Sequence, residues 1–194
     1  MRLVAFLRGI NLGNRRVKMG DLRRHAADMG LEDVGTHLAS GNLIFEPPRD
    51  LPADAEGREA ESRERISALE KRIETELESR LGFFTDTMIR SLAEVAELTE
   101  HPAVTEAESQ GLNVYTTFAK GELGDDVREA FQALTTPDDD FLVLDREVLW
   151  LRNGGVSDST VKTAHLERAF GGMPNTRRKI TSLRKLVETW GSED

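Results

Sequence analysis

Short apolar runs and a helical stripe follow one another closely at the start of the chain. Residues 3–7 are apolar and have the length of a strand, and they end at a loop, residues 8–18, that contains two glycines and four cations. Three apolar residues then recur at helical spacing, namely Leu22, Ala26 and Met29. This pattern predicts a strand, a basic glycine-containing loop and a helix.

The next segments complete a recognisable order of elements. Residues 34–38 and 43–45 predict two strands joined by a tight turn at residues 39–42. A long helical pattern occupies residues 53–81, and the alternation at residues 83–89 predicts a further strand. The resulting order of strand, helix, strand, strand, helix and strand is that of a ferredoxin-like domain.

The second half of the sequence predicts most of the same order again. Its predicted elements are a strand, a helix, a hairpin and two helices, at residues 112–118, 125–134, 141–144 with 148–151, 160–170 and a last helix that ends at 190. A helix thus takes the place of the final strand. We predict an α+β protein of two ferredoxin-like (split βαβ) halves in tandem, residues 1–95 and 96–194, each with a mostly antiparallel sheet.

The ferredoxin-like order places two motifs of the first half at the same end of its sheet. In a right-handed crossover, the end of the first strand and the turn into the third strand lie on one rim. The loop 8–18 and the turn 40–42 are therefore predicted to be neighbours in space.

The net charge of −9 argues against a general DNA-binding protein, but the charge is distributed unevenly. Residues 1–24 carry seven Lys or Arg against one acidic residue, residues 46–108 carry eight against seventeen, and residues 159–194 carry seven against four. Both ends of the sequence are basic and the middle is acidic. Because cations ahead of a helix oppose its dipole, those of the 8–18 loop favour a site for an anion.

We predict that this rim binds a small phosphate-bearing ligand or a nucleotide. Glycines let backbone N–H groups approach such a ligand, and polar side chains supply charge and orientation. The predicted ligand-binding residues of the first half are Arg8, Gly9, Asn11, Gly13, Lys18, Ser40, Gly41 and Asn42. The alternative is that the cations extend into water or pair with acidic residues.

A second cluster of cations lies near the end of the sequence. If Thr176 caps the last helix, residues 177–179 occupy its first turn, again against the helix dipole. A ligand shared by both clusters would require Arg8 or Lys18 to lie across a cleft from Arg178.

Several well-known kinds of site are not supported by the sequence. The chain has no cysteine, which excludes disulfides and thiolate ligands. Neither a P-loop nor a dinucleotide-binding spacing occurs, and the four histidines lack the spacing of metal ligands. Residues 138–140 are three aspartates without the glycine and distal glutamate of a calcium loop, which predicts a turn before a strand. We therefore expect no metal and no cofactor.

Composition also bears on location and partners. No apolar segment is long enough for a transmembrane helix or a signal-peptide core, so we expect a cytoplasmic protein without a membrane partner. The aromatic content of 6% disfavours a platform for stacked bases, although single-stranded nucleic acid stays open as a partner. The sequence does not determine the oligomeric state.

Motifs along the chain resemble a bacterial protein family. Its opening signature is Leu7-Arg8-Gly9-Ile10-Asn11, Gly13, Val17-Lys18-Met19, Leu22-Arg23 and Leu38-Ala39-Ser40-Gly41-Asn42-Leu43-Ile44-Phe45. Weaker matches are Arg90, Arg146-Glu147-Val148, Gly155, Ser159, Thr176, Arg178 and Leu183-Arg184-Lys185-Leu186. The chain resembles the family catalogued as domain of unknown function 1697, which implies a tandem ferredoxin-like α+β fold and no established activity. Ser159 joins the predicted ligand-binding residues on this basis, and Arg178 joins them as a member of the second cation cluster as well.

The sequence departs from the family pattern at two places. It has Ser159-Thr160-Val161 where members usually have Ser-Lys-Leu, and Arg178-Lys179-Ile180 where they usually have Arg-Asn-Trp. A function that depends on that Lys, Asn or Trp is not expected here, unless Lys162 substitutes for the lysine.

Three functions from different classes fit the sequence. Binding of a small anionic ligand at the rim is favoured, and the alternatives are an enzyme that acts on such a ligand and a structural or protein-interaction module in a homo-oligomer. A carboxylate or histidine beside the anion site would favour the enzyme. A rim buried between subunits would favour the module.

Overall fold

The chain folds into two compact units, Met1–Leu92 and Ala93–Asp194. The computed structural model describes residues 2–39, 41–47 and 59–191. Within those residues each unit contains one four-stranded antiparallel sheet covered by helices. The predicted α+β fold of two tandem halves is confirmed.

The first unit has the predicted order of elements. They are β1 (Leu3–Leu7), α1 (Met19–Asp28), β2 (Glu32–His37), β3 (Asn42–Glu46), α2 (Glu59–Leu81) and β4 (Thr87–Ser91). β1 lies between β3 and β4, and β2 forms the edge beside β3. Because β1 and β3 are antiparallel neighbours, the end of β1 meets the turn that leads into β3.

The apolar stripe predicted for α1 is its buried face, with Leu22 and Ala26 fully buried. Gly30, at a φ of +83°, ends the helix in the left-handed region. Its N–H donates to the Ala27 carbonyl at 2.9 Å, and the Leu31 N–H donates to the Ala26 carbonyl at 3.2 Å. These bonds satisfy carbonyls that the end of a helix leaves free, and the left-handed position favours glycine.

Helix α2 protects the open edge of the first sheet. Glu70 accepts a hydrogen bond from the Ile89 N–H at 2.7 Å, and Glu74 accepts one from the Thr87 N–H at 2.8 Å. Because β4 is an edge strand, these two carboxylates satisfy N–H groups that strand pairing leaves free. Residues 53–58 of the predicted helix lie outside the described residues.

The remaining elements build the second unit. They are α3 (Leu92–Thr99), α4 (Pro102–Ser109), β5 (Asn113–Ala119), α5 (Asp125–Gln132), β6 (Asp139–Val143), β7 (Glu147–Arg152), a 3-10 turn (Val156–Asp158), α6 (Thr163–Ala169), β8 (Asn175–Lys179) and α7 (Ile180–Trp190). β5 lies between β7 and β8, and β6 forms the edge beside β7. The second sheet therefore repeats the strand order of the first.

Strand β8 corrects the prediction for the second half. The predicted order, which ended in two helices, is wrong because Asn175–Lys179 pairs with β5. Residues 177–179 are not the first turn of a helix, since α7 begins at Ile180. Along β8, Thr176 and Arg178 are buried, whereas Lys179 is exposed. Burial alternates along β8 as in a strand, but the buried residues are polar or charged. A search for alternating hydrophobic residues therefore does not find this strand.

Two smaller differences concern the ends of elements. The sequence alone predicts a loop around residues 101–102, whereas His101 is the N-cap of α4 and its Nδ1 accepts a hydrogen bond from the Ala103 N–H at 3.2 Å. The strand predicted over residues 83–89 begins later, at Thr87. Phe83 therefore belongs to the connection before β4.

Several aromatic rings pack against one another in the core of the second unit. The Phe131 ring centroid lies 5.3 Å from that of Phe141 and 4.9 Å from that of Phe170. Phe141 in turn stacks on Trp150 at 5.7 Å. This packing fixes the position of Trp150, whose indole N–H takes part in the polar cluster described below.

Candidate functional site

The loop and the turn that the sequence brings together meet at one end of the first sheet. The Leu7 N–H donates to the Gly41 carbonyl at 2.8 Å, which ties the end of β1 to the turn. The connection before β4 reaches the same end, where the Arg8 N–H donates to the Asp86 carbonyl at 2.9 Å. We add this connection to the rim, which from here on denotes residues 8–18, 38–39, 41–42 and 83–86.

Gly41 allows the turn to close on the loop. Its φ is +79°, and a Cβ at this position would lie 2.5 Å from the Ile10 Cγ2 and 3.2 Å from the Leu7 Cβ. Ile10 itself is only 1% exposed, so it is packed beneath the turn. Both the backbone conformation and the close approach of Ile10 therefore require glycine.

Two predicted ligand residues hold the rim together. The Asn11 Oδ1 accepts a hydrogen bond from the Val17 N–H at 2.7 Å, and its Nδ2 donates to the Ala39 carbonyl at 2.9 Å. The buried Asn42 donates from its Nδ2 to the His37 carbonyl at 2.9 Å. Both amides thus bond to the backbone of the loop and the hairpin, which positions the surrounding residues.

Arg8 is anchored to the connection before β4. Its Nη1 lies 3.6 Å from the Asp86 Oδ2, with the two side chains 39% and 22% exposed. The Thr85 Oγ1 donates to the Arg8 carbonyl at 2.7 Å. Solvent screens an ion pair of this exposure, so it contributes little to stability, but it places a carboxylate beside the loop.

Three cations of the loop are exposed, namely Arg15, Arg16 and Lys18. The Arg15 guanidinium lies 4.5 Å from the centroid of the Phe83 ring, and the Arg16 Nη1 donates to the Gly13 carbonyl at 2.9 Å. Lys18 is the N-cap residue of α1, and its side chain makes no capping hydrogen bond. The charges therefore stand near the positive end of the helix dipole, where an anion would be stabilised.

The remaining predicted rim residues are two glycines and a serine. Gly9 and Gly13 are left-handed, with φ of +66° and +59°. Nothing lies within 4 Å of the position that a Cβ of Gly13 would occupy, so the backbone there is accessible. Ser40 lies outside the described residues.

In the second unit, Ser159 belongs to a buried polar cluster centred on Asp139. The Asp139 Oδ1 accepts hydrogen bonds from the Trp150 Nε1 at 2.9 Å, the Arg152 Nη1 at 2.6 Å and the Ser159 Oγ at 3.0 Å. Its Oδ2 accepts one from the Thr136 Oγ1 at 3.0 Å. Asp139, Arg152 and Ser159 are each at most 3% exposed. The predicted ligand residue Ser159 is therefore engaged inside the unit.

The sequence analysis missed this cluster. It predicts a turn at residues 138–140, whereas Asp139 begins β6 and pairs with Arg152 of β7. The available signal was that Trp150 and Arg152 alternate along β7 and so share one face. Burial raises the pKa of Asp139, but hydrogen bonds from Thr136, Trp150, Ser159 and Arg152 together hold it below the usual range.

Arg178, near the end of β8, is also buried, at 8% exposure. Its Nη1 donates to the Thr176 Oγ1 at 2.8 Å and to the Arg177 carbonyl at 2.9 Å. Burial lowers its pKa to about 10, so the group stays protonated at neutral pH. Its environment differs from that of the exposed cations of the rim.

His101 and His165 of the second unit accept backbone hydrogen bonds at the starts of helices. His101 caps α4, and the Nδ1 of His165 accepts a hydrogen bond from the Lys162 N–H at 3.2 Å at the start of α6. Among the described residues, no group of three or more histidines and carboxylates could hold a metal ion. In the part of the chain that the structure describes, no helix is long and apolar enough to cross a membrane.

Replacing Gly41 and Gly13 separately by alanine tests the packing at the rim. Gly41→Ala should lower the free energy of unfolding by about 2–5 kcal/mol, since it adds a clash with Ile10 to the cost of a left-handed residue. Gly13→Ala should cost only about 1–2 kcal/mol, because space is open there. Urea unfolding measures both, and equal losses would show that the contact between the turn and the loop is unimportant.

The polar cluster predicts a pH-dependent effect of Asp139→Asn. Removing the carboxylate leaves Arg152 buried without its charged partner, so the variant should lose about 3 kcal/mol at neutral pH. Because the folded-state pKa is lowered, the carboxylate stabilises the fold above its ordinary value of 3.8, and this is lost as pH falls through the folded-state value. Urea unfolding at neutral and acidic pH should therefore show the two proteins converging in acid. A difference that is constant with pH would contradict this.

Comparisons with other proteins agree with the fold. No curated protein matches the sequence. A solved structure of the conserved bacterial protein SP0830 from Streptococcus pneumoniae is similar, with a TM-score of 0.69 and 22% identity over 98% of each chain. The sequence model of the protein family of unknown function DUF1697 matches residues 1–149. The chain therefore belongs to the DUF1697 family.

Proposed function

We propose that the rim of the first unit binds a small phosphate-bearing anion, such as a sugar phosphate or a nucleotide. The observation that carries the proposal is the grouping of exposed Arg15, Arg16 and Lys18 around the uncapped start of α1. Free N–H groups at a helix start and nearby cations both attract a phosphate. The accessible backbone at Gly13 lets the ligand come close.

The proposal divides the rim residues into two roles. Arg15, Arg16 and Lys18 would contact the phosphate, and Asn11 and Gly41 would hold the loop in place. The hydrogen bonds of Asn11 to Val17 and Ala39 support this division, since they are made without a ligand. A loop that is ordered in advance loses less conformational entropy on binding, which favours affinity.

An enzyme that acts on the same ligand is the second candidate. The observation that favours it is Asp86, a carboxylate paired with Arg8 beside the loop. A carboxylate in this place could accept a proton from a nucleophilic water. A ligand found by the screen below would then be consumed by the wild type and not by Asp86→Asn, as followed by mass spectrometry. If the ligand is unchanged in both samples, the rim binds it without acting on it, and the enzyme candidate is wrong.

Thermal unfolding with a panel of sugar phosphates, nucleotides and inorganic phosphate tests the binding. A ligand at a hundred times its dissociation constant adds about 2.7 kcal/mol to the free energy of unfolding, which raises the melting temperature by several degrees. Lys18→Ala and Arg16→Ala should remove most of this shift and leave the unliganded melting temperature nearly unchanged, since both side chains are exposed.

The matched control is Lys185→Ala, which removes an exposed cation from α7 in the second unit. It should keep the full shift. If no phosphate compound stabilises the wild type, or if Lys185→Ala reduces the shift as much as Lys18→Ala does, the proposed site is wrong.

A further inference from the structure

Exposed apolar side chains are concentrated on the rim. Among the residues that the structure describes, three large hydrophobic side chains are exposed: Leu12 at 71%, Leu38 at 52% and Phe84 at 46%. Each belongs to a different segment of the rim, namely the loop, the turn and the connection before β4. The same end of the sheet that carries the exposed cations therefore carries these apolar groups, a combination that marks an interaction surface.

The backbone at Leu38 is a second, independent observation. Its φ is +61°, in the left-handed region that disfavours a leucine side chain. Asparagine or glycine would adopt this conformation more easily and would also suit solvent better. The turn therefore keeps an apolar side chain in water despite its conformational cost, which is a pattern associated with functional surfaces.

We propose that the rim docks on the surface of an anionic phospholipid bilayer, in place of the absence of a membrane partner that the lack of a long apolar segment led us to expect. The proposal rests on the phosphate site proposed above and names its phosphate as that of a lipid headgroup. Arg15, Arg16 and Lys18 would lie among the headgroups, where each basic residue near an anionic surface adds to the attraction. Leu12, Leu38 and Phe84 would insert at the boundary with the acyl chains.

The arrangement of the rim favours a bilayer over other occupants. The three apolar residues lie on three separate connections at the end of the sheet, which suits insertion into a fluid surface. Two rims facing each other in a dimer would place like charges together, which opposes that contact. Because the whole chain carries a net charge of −9 despite these cations, attraction to an anionic surface is confined to basic segments such as the loop 8–18.

Co-sedimentation of the full chain with vesicles tests the proposal. We expect binding to vesicles of equal parts phosphatidylcholine and phosphatidylglycerol, weakening with added salt, and little binding to phosphatidylcholine alone. Leu38→Asn should weaken binding by about tenfold, because it removes one apolar side chain from the lipid boundary. This variant should melt no lower than the wild type, since asparagine tolerates the left-handed conformation, so lost binding would not reflect unfolding.

Charge variants complete the test. Arg15→Glu with Arg16→Glu should abolish binding to the anionic vesicles, whereas Lys185→Glu on α7 should leave it unchanged. Binding that resists salt, or that Leu12→Ser and Leu38→Asn do not weaken, would overturn the proposal.

Other outcomes separate this proposal from the one it rests on. If a soluble phosphate compound raises the melting temperature and the anionic vesicles are not bound, the phosphate site stands and the bilayer proposal is overturned. If the protein self-associates without lipid and Leu12→Ser makes it monomeric, the occupant of the surface is a second copy. If neither soluble phosphates nor vesicles bind, both proposals are wrong.

Discussion

The contact between Gly41 and Ile10 is the constraint on which the rest of the rim depends. β1 and β3 are neighbours, so the turn into β3 must pass over the loop that leaves β1. It can do so at this distance only because Gly41 has no side chain and is left-handed. Ile10 is buried beneath the turn, and residues 12–16 of the same loop are exposed. Arg15 and Arg16 lie in this exposed stretch, between the buried Ile10 and the buried Val17.

Much of the first unit could be predicted because each of its elements is specified by residues that are close together in the sequence. An apolar run, a helical stripe and a glycine at the turn specify three elements without reference to the rest of the chain. The crossover rule then brings the loop and the turn to one rim. The use made of Asn11 and Asn42 could not be predicted, because a side-chain amide can bond equally well to a ligand or to the backbone. The choice depends on carbonyls that tertiary structure places, such as that of Ala39.

In the second unit, hydrophobic patterns failed to predict β8 and the burial of Asp139, because polar residues lie on buried faces there. β8 carries Thr176 and Arg178 on its buried face, and three consecutive cations resemble an exposed segment. Asp139 is buried as well, and only the register of β6 with β7 brings it to Arg152. A prediction from hydrophobic patterns treats charged residues as exposed. It fails where a charged group is buried together with its hydrogen-bonding partners.

The two units also share a buried arginine on the last strand of each sheet. Arg90 of β4 pairs with Val4 of β1, and Arg178 of β8 pairs with Thr116 of β5, so they occupy equivalent last strands. Each donates to the carbonyl of the residue before it, at 2.8 Å and 2.9 Å. Burying a guanidinium is costly unless its hydrogen bonds are made inside the protein. Its occurrence at the same place in both sheets indicates a role in the fold, and the ligand role of Arg178 stays a prediction.

The same comparison separates the rim from the other polar sites of the chain. Arg90, Arg178 and Asp139 are buried, and hydrogen bonds within their own unit offset the cost of burying their charges. On the rim, the exposed charges of Arg15, Arg16 and Lys18 oppose the helix dipole, and Leu38 holds an apolar side chain in water in a left-handed conformation. Several locally unfavourable choices in one small region are expected where a sequence serves binding as well as folding. On these grounds we propose that the first unit acts through the rim.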